Sequence, residues 1–223
     1  QRTSSAASDV YKRQEVKLYL SLLLTTALLT YLTLYFSENI YDDMVVESIF
    51  QAVSIGTTTG FLTSNYSSWP LFVPIMLLTA AFIGACAGST GGGIKVIRAL
   101  ILLRQGSSEI TKLIHPNAVV SIKLGRKSLD PRVSESVWGF FAVYVATFLL
   151  LLMVLLSQNN DFLTAFSAAG ATLNNLGPGL GAVSENYKDI TDISKIALCA
   201  SMLLGRLEIF TLLLIFTPSF WRS

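Results

Sequence analysis

From Ser48 to Ile94 the chain carries no charged residue, yet Gly56-Thr57-Thr58-Thr59-Gly60-Phe61 interrupts the stretch with a turn. No other feature restricts the fold as much. An uncharged run this long belongs inside a bilayer, and non-helical backbone survives there only where protein buries it or where it lines an aqueous path. Three threonines between two glycines supply closely spaced carbonyl and hydroxyl oxygens and no charge. Gly60 can take positive φ, which lets successive carbonyls point to one side. A row of such oxygens can replace the hydration shell of an alkali cation, so the turn reads as one wall of an ion filter. A plain loop between two helices fits the same six residues.

Composition agrees with the membrane assignment. Hydrophobic residues make up 52% of the 223 and charged residues 13%, against roughly 25% charged in soluble domains. Cys86 and Cys199 both lie in apolar stretches and read as free buried thiols, neither a disulfide framework nor a metal site. His115 is the single histidine, so no histidine metal cluster can form.

The chain order refines this picture. Residues 1–14 are polar and without period, and read as a non-native or disordered leader rather than a signal peptide. Leu18–Ser37 is twenty residues without charge, enough for one spanning helix. A short apolar segment, 43–55, leads into the filter turn 56–61; it is too short to span and reads as a re-entrant pore helix. Trp69-Pro70 opens a second apolar helix, with proline in its first turn. That helix, expected over 69–104, meets Gly88-Ser89-Thr90-Gly91-Gly92-Gly93. Four glycines in six residues cannot hold a helix in lipid, and broken helices mark ion or substrate pathways. The same glycines fail the spacing of a phosphate-binding loop and follow an apolar helix rather than a strand.

Residues 105–134 form the one sizeable soluble excursion, a basic loop with a small β-hairpin expected to turn at Gly125. A second set then follows: helix 136–160, short apolar helix 161–173, turn 174–179 and helix 193–217. The two halves share one plan. Aligning Gly60 with Gly177 sets Thr57, Thr58 and Thr59 opposite Asn174, Asn175 and Leu176, an internal repeat. Charge gives an independent check. The segments before Leu18 and around 95–132 carry twelve of the sixteen Lys and Arg residues, and the opposite segments hold eight of the fourteen acids. The basic side is expected to face the cytoplasm and both turns the outside, where the acidic rim attracts cations. The resulting fold class is an all-α polytopic membrane protein with two helix–pore-helix–helix repeats, re-entrant filter loops and one broken helix.

Four motifs now stand in order: Gly56–Phe61, Gly88–Arg98, Leu173–Gly181 and Gly205-Arg206-Leu207-Glu208. Together they resemble the C-terminal half of the TrkH/KtrB-type potassium uptake proteins, in the superfamily of K⁺ transporters, across residues 15–223. The resemblance implies four such repeats around one pore, of which this chain holds the third and fourth, half of a four-repeat pore. It implies K⁺ coordination by Thr57, Thr58, Thr59, Gly60, Asn174, Asn175, Leu176 and Gly177, mostly through backbone carbonyls. An intramembrane gate is implied at Gly88, Ser89, Thr90, Gly91, Gly92 and Gly93. Arg206, a charge at mid-helix, costs about 2.5–3.5 kcal/mol to insert and so reads as functional; it is expected to face the cavity and bond the glycine loop. Lys95 and Glu208 are expected as supporting charges, paired between helices.

The resemblance implies K⁺ as the transported ion and no cofactor. The expected partners are a second copy in a homodimer, the missing N-terminal repeats, membrane lipid, and a cytosolic nucleotide-binding TrkA-like subunit at the basic loop; no nucleic acid is expected. The location implied is the bacterial cytoplasmic (inner) membrane. A symporter coupling K⁺ to Na⁺ or H⁺ is the alternative, and it needs titratable groups at mid-membrane. An intramembrane hydrolase finds no nucleophile–base pair here.

Overall fold

The computed structural model describes residues 2–37, 43–84, 86–89, 91–115, 123, 124 and 127–207. Among them are seven α-helices: α1 Arg2–Tyr35, α2 Met44–Gly56, α3 Phe72–Ile83, α4 Val96–Ile114, α5 Pro131–Ser157, α6 Phe162–Leu173 and α7 Asp192–Arg206. Two-residue strands, β1 Lys123–Leu124 and β2 Lys127–Ser128, pair antiparallel between α4 and α5 with Leu124 opposite Lys127. This is the expected hairpin; Gly125, its expected turn, lies outside the described residues.

Among the described residues, two helices are long and apolar enough to cross a membrane, over Gln14–Tyr35 and Arg132–Ser157. Their apolar windows are only 22% and 28% buried. A core helix of a soluble protein would be mostly enclosed, so these surfaces are built for lipid or for further protein. The exposed side chains agree: Leu24, Phe36, Leu150 and Met153 are each at least 65% exposed.

Several boundaries differ from expectation, each for a local reason. Helix α1 begins at Arg2, so residues 2–14, expected as part of a non-native or disordered leader, are helical. The broken helix starts at Phe72 rather than 69, because the Val73 amide first turns back onto the Pro70 carbonyl at 2.8 Å. Its break is wider than the glycine run. Helix α3 stops at Ile83, with Gly84 at φ +69°, and α4 resumes only after Lys95, at φ +72°. The expected loop 105–134 is shortened from both sides. Helix α4 runs on to Ile114, steadied by Lys112–Glu109 at 2.9 Å one turn apart. Helix α5 starts at Pro131, capped by the Asp130 carboxylate, which accepts from the Arg132 amide. Helix α7 is described to Arg206; its expected continuation to 217 lies outside the described residues. Neither cysteine is buried: Cys86 is half-buried and Cys199 exposed, and both are free.

The core sits around α6. From Thr164 to Leu173 all its residues but Phe166 are buried, among them Ala165, Ala168, Ala169 and Ala171. Such small side chains let neighbouring backbones approach closely. Helix α6 packs on α3, α5 and α7, whereas α2 packs mainly on α1 and α3 among the described residues. Consequently α2 buries Ser48, Gln51, Ala52 and Ile55 but leaves Val45, Val46, Ile49 and Val53 exposed.

Gly106, within α4, offers a clean stability test. A Cβ there meets nothing within 4 Å, and its φ is ordinary. Gly106→Ala is therefore expected to raise stability by about 0.5–1 kcal/mol, by lowering the entropy of the unfolded chain. Thermal melting of the detergent-solubilised protein reads this, and a lowered midpoint would contradict the packing described.

Candidate functional site

Short helices α2 and α6 end in the same turn. Thr57 caps α2 at φ −90°, ψ 0°, and Asn174 caps α6 at φ −90°, ψ −1°. Thr58 and Asn175 follow at φ 57° and 54°, then Gly60 and Gly177 at φ 80° and 100°. The hydrogen bonds match as well. Amides of Thr57, Thr58 and Thr59 donate to the carbonyls of Val53, Ile55 and Ser54 at 2.9, 3.0 and 2.8 Å. Those of Asn174, Asn175 and Leu176 donate to Gly170, Thr172 and Ala171 at 3.1, 3.1 and 2.8 Å. Every donor and every acceptor has its counterpart 117 residues along the chain. Asparagine takes the left-handed region at low cost, but threonine is β-branched and strained there. Such strain gathers at functional positions.

The two turns touch. A Cβ at Gly60 would overlap the Leu176 carbonyl oxygen and press on the Pro178 ring. Only glycine permits that approach. The side chains of the second turn are held by the helices around it. Tyr144 of α5 donates to Asn174 Oδ1 at 2.7 Å, and Asn175 Nδ2 donates to the Met202 carbonyl of α7 at 3.2 Å. In the first turn the Thr57 and Thr59 hydroxyls bond each other at 2.7 Å, and Ser54 Oγ donates to the Phe61 carbonyl at 2.6 Å.

Two phenols brace the segment after the second turn. Tyr187 donates to the Gly177 carbonyl at 2.6 Å, and Tyr66 to the Gly179 carbonyl at 2.8 Å. Burial pushes both phenols well above the usual tyrosine range, with Tyr187 adding to the rise at Tyr66. They stay protonated, and so stay donors, throughout the physiological pH range.

The break between α3 and α4 packs directly on the second of these turns. A Cβ at Gly92 would overlap the Asn174 carbonyl, and one at Gly205 of α7 the Leu173 carbonyl. These two glycines let the break and α7 close against the C-terminal end of α6. A cavity of about 260 Å³ remains between them, lined by Ser89, Gly91, Gly93, Lys95, Arg98 and Arg206, with Phe140 and Tyr144 on its α5 side. Arg98 lies over the Phe140 ring at 4.1 Å, a cation–π arrangement.

The structure thus gathers most of the expected site. Thr57–Gly60 and Asn174–Gly177 form the two meeting turns, while Ser89, Gly91, Gly93, Lys95 and Arg206 share one cavity. Gly92 lies behind that cavity against Asn174; Gly88 is exposed at φ 82° with open space around it. Thr90 and Glu208 lie outside the described residues. Sequence reasoning missed Tyr66, Tyr144 and Tyr187, whose signal, single tyrosines in a polar loop or an apolar helix, is too weak to find them. It also missed Glu15, 5% exposed on α1, whose carboxylate accepts from the Ala87 amide inside the break.

Known proteins resemble this chain in sequence and in fold. A family model described as TrkH, cation transport protein, matches residues 18–223. The Trk system potassium uptake protein TrkH of Salmonella typhimurium is 48% identical over 224 residues, covering 99% of this chain and 46% of the relative. Its counterpart in Escherichia coli K12 is 47% identical over the same shares. The crystal structure of the potassium transporter TrkH from Vibrio parahaemolyticus matches with a TM-score of 0.86 and 48% identity, covering 93% of this chain and 45% of that one. The chain spans about half the length of the curated relatives it matches, and its all-helical architecture is that of the Vibrio structure.

Proposed function

This chain belongs to the TrkH cation transport protein family, and from that premise we propose that it supplies half of a channel-like pore for potassium uptake across the bacterial cytoplasmic membrane. The observation that carries the reading is the pair of matched turns, 117 residues apart, meeting where Gly60 abuts the Leu176 carbonyl. Backbone carbonyls of Thr57–Gly60 and Asn174–Gly177 each form one wall of a selectivity filter and replace the water around K⁺. Helices α2 and α6 end at these walls, so their negative dipole ends favour a cation there by about 0.3–1 kcal/mol each.

Beside the filter, the glycine-rich break acts as an intramembrane gate, and Arg206 with Lys95 sets an electrostatic barrier in the cavity. The exposed apolar face of α2, from Val45 to Val53, is where the amino-terminal repeats of the same protein pack and complete the ring. The filter turns face outside and the basic hairpin faces the cytoplasm, in keeping with the charge bias. There it meets a TrkA-like nucleotide-binding subunit and anionic lipid headgroups; two copies of the whole protein form a homodimer.

The test grafts residues 15–223 behind the amino-terminal half of the Salmonella relative and plates K⁺-uptake-deficient bacteria on low K⁺. Rescue of growth is the expected result. A membrane-inserted fusion that gives no rescue would sink the reading.

A further inference from the structure

We propose that Tyr66 and Tyr187 are positioning residues for cation preference, acting by aiming the backbone of residues 177–179. This rests on the filter reading above and adds to it what fixes the second wall. Glycines 177 and 179 have no side chain to lock their peptide planes. At Gly177, φ is +100° and an added Cβ would find nothing within 4 Å, so packing does not restrain that residue either. The 179–180 peptide is tied at its amide end, where Leu180 N–H donates to Ser167 Oγ at 2.8 Å, and both carbonyls accept hydrogen bonds from phenols outside the turn. Tyr187 reaches the Gly177 carbonyl from the strip before α7, at 2.6 Å. From the 3₁₀ turn Tyr66–Ser68, Tyr66 reaches the Gly179 carbonyl at 2.8 Å, with a longer approach to Pro178 at 3.4 Å.

A buried hydroxyl must find an acceptor, and Tyr66 is 1% exposed. Its acceptor is the peptide carbonyl it faces, so burial of the ring becomes control of the carbonyl's direction. Each carbonyl oxygen has two lone pairs. With one engaged by a phenol, the other is fixed in direction.

The first turn is braced differently. Its Phe61 carbonyl accepts from Ser54 on the turn's own helix, at 2.6 Å. The positions 117 residues from Tyr66 and Tyr187 are Val183 and Pro70, neither of which carries a donor. One wall is therefore held from within its own repeat. The other is held by two phenols, Tyr187 from its own repeat and Tyr66 from the first repeat, 113 residues from the carbonyl it meets.

Tyr66→Phe and Tyr187→Phe remove one oxygen each and leave the rings in place. Two readouts are needed. In the 223-residue chain reconstituted in lipid nanodiscs, amide exchange of peptides spanning 176–181 is expected to rise roughly three- to tenfold in each variant. In the graft, Na⁺ competition with K⁺ uptake is expected to strengthen by a similar factor, with membrane insertion unchanged and Gly177→Ser as reference. Unchanged exchange in both variants would overturn the proposal. So would raised exchange with unaltered competition, if Gly177→Ser does alter it. Should Gly177→Ser also leave competition unaltered, the filter reading itself falls.

Discussion

Gly60→Ala is expected to cut K⁺ uptake by the graft about thirtyfold or more. Two costs coincide at this residue. Its φ of +80° lies in the region an L side chain enters at about 1–2 kcal/mol. The new methyl would also overlap the Leu176 carbonyl, a backbone atom that cannot swing aside without moving the second turn. Overpacking of this kind costs about 1–3 kcal/mol. Together these amount to at least about 2 kcal/mol, and each 1.4 kcal/mol is a factor of ten. Gly88→Ala separates the two costs, because Gly88 shares the positive φ, at +82°, but has open space around it. It should lose far less. The measurement is initial Rb⁺ or K⁺ uptake in vesicles, normalised to inserted protein. Equal losses in the two variants would mean that contact between the turns is not what matters at Gly60.

Arg206→Ala moves uptake the other way. Its guanidinium shares the cavity with Ser89, Gly91 and Gly93 of the break, on the path proposed for the ion. At about 8 Å and an effective dielectric near 20, a unit charge repels K⁺ by about 2 kcal/mol. Removing it should therefore speed uptake by up to roughly thirtyfold, while Arg206→Lys, which keeps the charge, should remain near the parent rate. Concentration dependence separates the effects: a faster maximal rate at unchanged half-saturation marks a barrier removed. A fall in rate with Ala, restored by Lys, would make Arg206 a structural cation instead.

How far the sequence reveals this molecule depends on how local each determinant is. The two short helices, their turns and the 117-residue offset were legible because a charge-free run and a Gly/Thr or Asn/Gly turn are patterns within a dozen residues. Capping could have been read further: Asp130 and Asp161 each stand immediately before a helix and accept from its second amide. The extent of the break was harder. Glycines 88 and 91–93 drew attention, yet the backbone leaves the helix at Gly84 and returns after Lys95, a lysine at φ +72° that no propensity would choose. Beside it the Ile94 amide donates to the Phe82 carbonyl at 2.9 Å, a contact no local pattern announces, and the link from Glu15 to Ala87 spans 72 residues. The tyrosines were invisible for the same reason. A phenol in a loop says nothing of which carbonyl it will meet until the fold has brought the two together.

One contact also carries a statement about time. The hydroxyl of Tyr66 and the Gly179 carbonyl it holds are separated by 113 residues, and Leu176, whose carbonyl abuts Gly60, is just as remote. At a synthesis rate of about 5–20 residues per second, the first turn leaves the ribosome roughly 6–23 seconds before its counterpart exists. Throughout that interval the first half waits in the translocation machinery or the bilayer without the carbonyls that Tyr66 and Gly60 meet in the finished fold. The proposed ion path is thus a late product of biogenesis. Neither repeat can be finished and handed on as a unit, so quality control acting on this chain must tolerate a half-made turn until its partner arrives.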